Sequence, residues 1–244
     1  MKNIAKYIDH TCLKATASEE DIAKLCREAK KYGFASVCVN PCKITLAKKL
    51  LAKTRVKVCT VIDFPLGASM FRAKALGGLS AVMEGATELD FVANIDQLKA
   101  AAQNELVREN MLNELLLCNV LVKSKKKSAV TKLILECCYL TDGEKVLGCK
   151  LAKEAGFDFV KTSTGFGTGG ATVHDVKLLR KAVGKKMGVK AAGGIRTLKD
   201  AMAMIAAGAN RLGCSASVDI VRESAAKAKA KAKSARKAKK ESAA

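Results

Sequence analysis

A single-domain (β/α)8 barrel, the TIM-barrel architecture of the α/β class, is the fold this 244-residue sequence predicts. Three observations carry the prediction. Eight short, β-rich apolar runs recur along the chain, and helical stretches with recognisable starts and stops separate them. The runs also show little of the apolar–polar alternation of a half-buried sheet, which suits parallel strands covered on both faces. Eight such units in about 220 residues match a closed barrel better than an open sheet. The first run is short and polar, so a seven-strand doubly wound sheet stays open as the alternative.

In chain order the runs are YIDHTCL (7–13), ASVCVN (35–40), VKVCTVI (56–62), ELDFVANI (88–95), TKLILEC (131–137), FDFVKTS (157–163), MGVKAA (187–192) and NRLGCSA (210–216). Helix starts are marked by Ser18-x-x-Asp21, Thr141-x-x-Glu144, Thr172-x-x-Asp175 and Thr197-x-x-Asp200. In each, the hydroxyl can accept from an early backbone N–H while the acid lies near the positive helix end. Gly33, Gly85, Gly156 and Gly208 stand where helices should stop. The fourth connection (96–130) is long, glycine-free and contains NMLNELLLCNVLV, which predicts one long helix or two short ones. Apolar periodicity ends after Val221. The domain is therefore drawn over 1–221, with 222–244 expected as a disordered, basic Lys/Ala-rich tail.

Composition narrows the class. Hydrophobic content of 49% at near-zero mean hydropathy predicts a soluble globular chain. No apolar run approaches the ~20 residues needed to span a bilayer. MKNIAKYIDH lacks an apolar core, so no signal peptide is read and the cytoplasm is the expected compartment. The 10 cysteines are scattered, form no CxxC pair, and are accompanied by only His10 and His174, which predicts reduced thiols and no metal site. Of the +21 net charge, residues 222–244 hold nine Lys/Arg against two Glu, hence +7, leaving +14 that includes KSKKKS at 123–128. Such a surface could hold a polyanion non-specifically. With no Trp and 4% aromatic residues to stack on bases, a solubilising surface is the preferred reading.

Barrel enzymes gather reactive groups at the C-terminal ends of their strands. The expected rim holds Asp9, Asn40, Asp63, Asp90, Glu136, Lys161, Lys190 and Ser215. Lys161 and Lys190 end successive strands, each followed by small residues. A lysine nucleophile must shed its proton although a free ammonium titrates near pH 10.4. Burial and a neighbouring cation both favour the neutral amine, which can form a Schiff base with a carbonyl. Asp90, in an otherwise apolar run, needs a cationic partner and could move protons. Lys132 joins that cluster or lies at the surface. Gly193-Gly194, with Gly213 on the last run, fit the backbone phosphate site that barrels build after strands seven and eight, extended by Thr164 and Gly165, with Arg196 available for charge. These readings converge on a Schiff-base lyase or isomerase for a phosphorylated carbonyl compound.

IDHTCLK, FASVCVNP, VCTVIDFPLGA, GATELDFVANI, CYLTDGEKV, FVKTSTGFGTGGAT and GVKAAGGIRTLKDAMAMI, in this order over residues 4–221, resemble the deoxyribose-phosphate aldolase family of class I aldolases. The resemblance implies reversible cleavage of 2-deoxy-D-ribose 5-phosphate to D-glyceraldehyde 3-phosphate and acetaldehyde, without metal or organic cofactor. It implies Lys161 as the Schiff-base lysine, with Asp90 and Lys190 as proton donor and acceptor. Thr164, Gly193, Gly194, Gly213 and Ser215 match phosphate-pocket positions. Asp9, Thr11 and Cys38 match the substrate cavity, and Lys132 matches a supporting lysine. A homodimer is the family expectation. A Schiff-base aldolase with another aldehyde substrate, and a polyanion-binding barrel without activity, are the competing readings.

The chain also departs from the family pattern. Asp63 stands where glycine is expected, adding a carboxylate near the rim. SMFRAKALGGLSAVMEGA has lost acidic helix character, and no C-terminal tyrosine is present. In GCSASV, Ala216 and Ser217 stand where Ser and Gly are commoner, and a lost glycine could strain that turn. These departures bear on rate, phosphate affinity and packing, and leave the reaction type intact.

Overall fold

Eight parallel strands close on themselves in chain order. The computed structural model describes residues 3–241. The strands are β1 (Ile8–Cys12), β2 (Ser36–Val39), β3 (Lys57–Ile62), β4 (Glu88–Val92), β5 (Val130–Ile134), β6 (Phe159–Lys161), β7 (Gly188–Ala192) and β8 (Arg211–Cys214). The short polar first run is a true strand. It pairs with β2 on one side and β8 on the other, which closes the barrel and removes the doubly wound alternative.

Helices α1 (Glu19–Tyr32), α2 (Ile44–Leu50), α3 (Phe71–Glu84), α4 (Ile95–Ala100), α5 (Glu105–Lys125), α6 (Asp142–Glu154), α7 (Val173–Val183), α8 (Leu198–Ala207) and α9 (Ser217–Glu241) complete the units. Their starts follow the local chemistry. Ser18, Thr141 and Thr197 form both halves of a capping box with Asp21, Glu144 and Asp200, and the Thr172 hydroxyl accepts from the Asp175 N–H. The long fourth connection divides because Asn94 and Asn104 each cap a helix, giving one short and one long helix instead of a single long one or a short pair. On α3, Leu76 and Met83 stay exposed, in keeping with its lost polar character.

The basic segment expected to be disordered from residue 222 is described as a continuation of α9 through Glu241. Its composition explains the difference: Ala, Lys and Arg are among the strongest helix formers, so the segment can extend a helix nucleated on the barrel. Residues 242–244 of the expected tail lie outside the described residues.

Side chains alternate along each strand between the helices and the barrel lumen. Leu89, Phe91, Leu133, Val160, Val189 and Leu212 belong to the buried core shared with Ile22, Leu25, Leu115, Val176 and Leu179 of the helices. Each fully buried side chain of this kind contributes roughly 1.5–3 kcal/mol, so this annulus is the main source of stability. Inside the barrel the apolar content shrinks to a separate small cluster of Leu13, Cys38, Cys59 and Val61, with Phe64 against it. The rest of the lumen holds buried charge: Asp9, Glu88, Asp90, Lys132, Lys161 and Lys190.

Candidate active site

The lumen charges form a closed ring. Glu88 pairs with Lys132 (2.8 Å), Lys132 with Asp90 (2.8 Å), Asp90 with Lys190 (2.7 Å) and Lys190 with Asp9 (2.6 Å). Arg211 then bridges Asp9 (2.6 Å) and Glu88 (2.6 Å), so acid and base alternate all the way round. Strand register makes the ring. Asp90 lies beside Lys132, Lys190 beside Arg211, and Asp9 beside Gly213, whose missing side chain leaves room for Lys190. A Cβ on Gly213 would lie 3.2 Å from the Lys190 Cε.

Lys161 hangs from this ring as a branch. It ends β6 level with Lys190, and its Nζ donates to Asp90 Oδ2 at 2.9 Å. The same oxygen accepts from Lys190 at 2.7 Å, so the two lysines are joined through a carboxylate between them. Asp90 Oδ1 accepts from Lys132 at 2.8 Å and from the Cys59 thiol at 3.3 Å.

The electrostatics keep the ring charged. Burial pushes the Asp90 carboxyl up, but Lys132, Lys161 and Lys190 together outweigh it and hold it well below the usual carboxylate range. Asp9 is likewise held low, burial being overcome by Lys190, Arg211 and Lys132. Burial alone would pull Lys190 down; Asp9 and Asp90 reverse this and keep it above the ordinary lysine range. Lys132 is raised in the same way, chiefly by Asp90 against its own burial. Near neutral pH Asp90 is therefore a carboxylate and Lys190 an ammonium, two groups whose environments have pushed them apart.

Above Lys161 opens a cavity of about 310 Å³ lined by Thr11, Lys161, Thr164, Gly193, Gly194, Gly213 and Ser215, with Lys14 and Arg196 supplying positive charge and Phe166 on one wall. Its glycine-lined end is mostly backbone. Gly193 has φ +87°, and a Cβ there would meet the Gly170 Cα at 3.0 Å. At Gly170 a Cβ would lie 2.4 Å from the Gly193 carbonyl oxygen, so the close approach of the β6 and β7 loops needs glycine at both positions. The turn at Ala216 and Ser217 is unstrained, neither residue adopting positive φ, and the Ser217 hydroxyl donates to the Cys214 carbonyl as α9 begins. The expected penalty for a lost glycine does not arise.

Several expected positions move. Asp9, Asp90 and Lys190 lie within their strands, below the rim, because a parallel barrel aims side chains of successive layers into one lumen. Lys132 is fully buried, which removes the surface alternative. Cys38 is buried against Cys59, its register partner on β3, and Thr11 lines the cavity with its hydroxyl on the Asp9 carbonyl. Asp63 does adopt the left-handed conformation that favours glycine (φ +56°), yet its carboxylate turns away from the cavity. It accepts from the Ser69 N–H and pairs with Lys74 (3.3 Å), which in turn pairs with Glu114 (2.6 Å). Asn40 reaches only the Lys14 carbonyl, and Glu136 accepts from the Thr164 N–H and hydroxyl, bracing the β6 loop.

Sequence reasoning missed Glu88 and Arg211. A signal existed for the first: Glu88-x-Asp90 puts two acids on one strand face. Unanticipated too is the approach of Cys38, Cys59 and Asp90, whose ligand-type atoms lie within 4.8 Å of one another. These, and the group Asp9, Cys59 and Glu88, could hold a metal among the described residues, but the carboxylates of both groups are already paired with lysines or Arg211.

The chain is thus a barrel with a buried lysine at the mouth, joined through one carboxylate to a second lysine, and the DeoC/LacD family aldolase model matches residues 3–220. The chain belongs to that family and is a carbon–carbon lyase. At the level of particular proteins, it is 55% identical over 225 residues to the deoxyribose-phosphate aldolase of Caldanaerobacter subterraneus, covering 91% of this chain and 94% of that one. It is 57% identical to the deoxyribose-phosphate aldolase of a Thermoanaerobacter species over 91% of this chain and 96% of that one. A solved structure of a putative deoxyribose-phosphate aldolase from Coccidioides immitis superposes with a TM-score of 0.83 at 41% identity, covering 91% and 85% of the two chains. The deoxyribose-phosphate aldolase of Aeropyrum pernix, described as tetrameric, gives 0.81 at 36% identity, covering 90% and 89%.

Proposed function

We propose that the chain cleaves 2-deoxy-D-ribose 5-phosphate reversibly to D-glyceraldehyde 3-phosphate and acetaldehyde, with Lys161 as the Schiff-base lysine. The observation that carries this reading is the position of Lys161. It is the only ring-linked amine lining the cavity among the described residues, and it shares Asp90 with a lysine held protonated.

In the cleavage direction the neutral Lys161 amine attacks the C1 aldehyde, and the carbinolamine loses water to give an imine. The C3 hydroxyl proton leaves toward the Asp90 carboxylate, directly or through one water. The C2–C3 bond breaks, its electrons forming the enamine with nitrogen as the sink, and D-glyceraldehyde 3-phosphate departs. A proton supplied through Asp90 and Lys190 then adds to C2, and water releases acetaldehyde from Lys161. Gly193, Gly194, Gly213 and Ser215, with Arg196 and the N-terminus of α9, hold the phosphate through backbone N–H groups and charge.

Borohydride reduction in the presence of substrate, followed by peptide mapping, tests the assignment. The adduct is expected on Lys161, and an adduct on another lysine, or none, overturns it. Comparing turnover of deoxyribose and its 5-phosphate tests the substrate: equal kcat/KM for the two would favour the altered-aldehyde reading. Association of copies as a homodimer stays part of the proposal, to be checked by sedimentation. Cytoplasmic residence does too; no described helix is long and apolar enough to cross a membrane.

A further inference from the structure

No member of the closed ring lines the cavity, and only Asp90 bonds to the reacting lysine, so the others can act on Lys161 only through the charge they share. Arg211 and Glu88 lie at the ring's lower edge, joined to each other at 2.6 Å, with the Arg211 Nε and Nη2 both donating to Asp9 Oδ1 at 2.9 and 2.6 Å. Three acids (Asp9, Glu88, Asp90) alternate with three bases (Lys132, Lys190, Arg211), so the ring is balanced without Lys161. A protonated Lys161 is then the surplus cation in a buried, low-dielectric lumen, where net charge is expensive. Shedding its proton leaves the ring neutral.

We propose that Arg211 and Glu88 are positioning residues that set the charge of this ring and, through it, the pH range in which Lys161 forms its covalent adduct. The inference rests on the Schiff-base reading above. Its sign can be worked out. Replacing Arg211 by a neutral residue leaves an acid in excess, so a protonated Lys161 becomes the balancing cation and keeps its proton to higher pH. Replacing Glu88 by a neutral residue leaves two cations in excess, so Lys161 loses its proton at lower pH.

The groups facing the cluster from every element are few. They are Asp9 on β1, Cys38 on β2, Cys59 on β3, Glu88 and Asp90 on β4, and Lys132 on β5. Lys190 on β7 and Arg211 and Cys214 on β8 complete the set, with Lys14 and Arg196 on the cavity side of Lys161. Burial, the hydrogen bond with Cys38 and the Asp90 charge keep the Cys59 thiol protonated. The Cys38 thiol is drawn down by its hydrogen bond with Cys59 and by Lys190 and Lys161, against its burial, and is the one further group that could add negative charge.

The test uses the full chain with acetaldehyde and borohydride as probes, reading the Lys161 adduct by mass across a pH series. Arg211→Met is expected to move the midpoint of adduct formation up by about one pH unit, and Glu88→Gln down by about as much, each near a tenfold change at fixed pH. Arg211→Lys, which keeps the charge, and the double variant, which removes one of each sign, should return to the wild-type midpoint. Each is repeated on a Cys38→Ser background to remove the thiol's contribution. If adducts form but both single variants leave the midpoint in place, or move it in the same direction, the two residues are merely structural and the proposal fails. If Arg211→Met does not fold, the downward shift in Glu88→Gln and the unmoved midpoint in Arg211→Lys carry the test. Failure of wild type to give any Lys161 adduct overturns the Schiff-base reading instead.

Discussion

The lumen and the mouth of this barrel are built in opposite ways. In the lumen, charged side chains from six strands meet each other, and strand register sets the pairs. At the mouth, the proposed phosphate end is built from glycine backbone and helix ends, with Arg196 and Lys14 supplying positive charge. The difference concerns tolerance. A backbone cradle survives side-chain substitution, as the GCSASV turn illustrates, whereas a buried ionic ring is broken by loss of any member because the partner's charge stays behind.

Four experiments bear on that contrast, the largest expected effect first. Lys161→Ala should reduce kcat/KM at least about 10⁴-fold and abolish borohydride trapping, as expected for loss of a covalent nucleophile; residual activity within tenfold of wild type would remove Lys161 from the chemistry. Lys190→Leu should slow turnover by about 10²–10⁴-fold. It should also destabilise the fold by roughly 3–5 kcal/mol, since Asp9 and Asp90 lose a shared partner.

That variant also has a pH signature. Asp9 and Asp90 are depressed in the fold, so their stabilising contribution is present above the unfolded value near 4 and is lost as pH falls through the folded values. Removing Lys190 raises those folded values, so circular dichroism should find acid unfolding beginning at higher pH. An unchanged acid transition would mean that the ring contributes little to stability.

At the mouth, Gly193→Ala should raise KM for the 5-phosphate by about tenfold, about 1.4 kcal/mol, while turnover of unphosphorylated deoxyribose stays near wild type. Equal losses for both substrates would place the damage in the barrel rather than in the cradle. The smallest effect belongs to Asp63→Gly. It relieves a left-handed aspartate but gives up the bonds to Ser69 and Lys74, so thermal unfolding should shift stability by only about 1 kcal/mol either way. A large activity change would mean that Asp63 reaches the cavity after all.

Elements set by short-range chemistry could be read in the sequence. Ser18, Thr141 and Thr197 cap helices because the hydroxyl and its acid are three residues apart, and Gly33 and Gly208 end helices because they adopt the left-handed conformation. The apolar strand runs were likewise visible, along with Lys161, Asp90 and Lys190, since a charge inside an apolar run demands a partner. The helix through Glu241 was not legible in the sequence, because the absence of an apolar face says little about a segment whose backbone propensity suffices to continue an existing helix.

What the sequence by itself determined is therefore the succession of β and α units, their ends, and the presence of buried charge on the strands. The tertiary structure alone decided how those charges are shared. Arg211 meets Glu88 across 123 residues and Asp9 across 202, contacts that exist only once β8 closes against β1. It also turned Asp63 away from the cavity. The physical reason is common to both: local spacing sets the backbone, but the partner of a buried charge is set by which strands the closed barrel brings face to face.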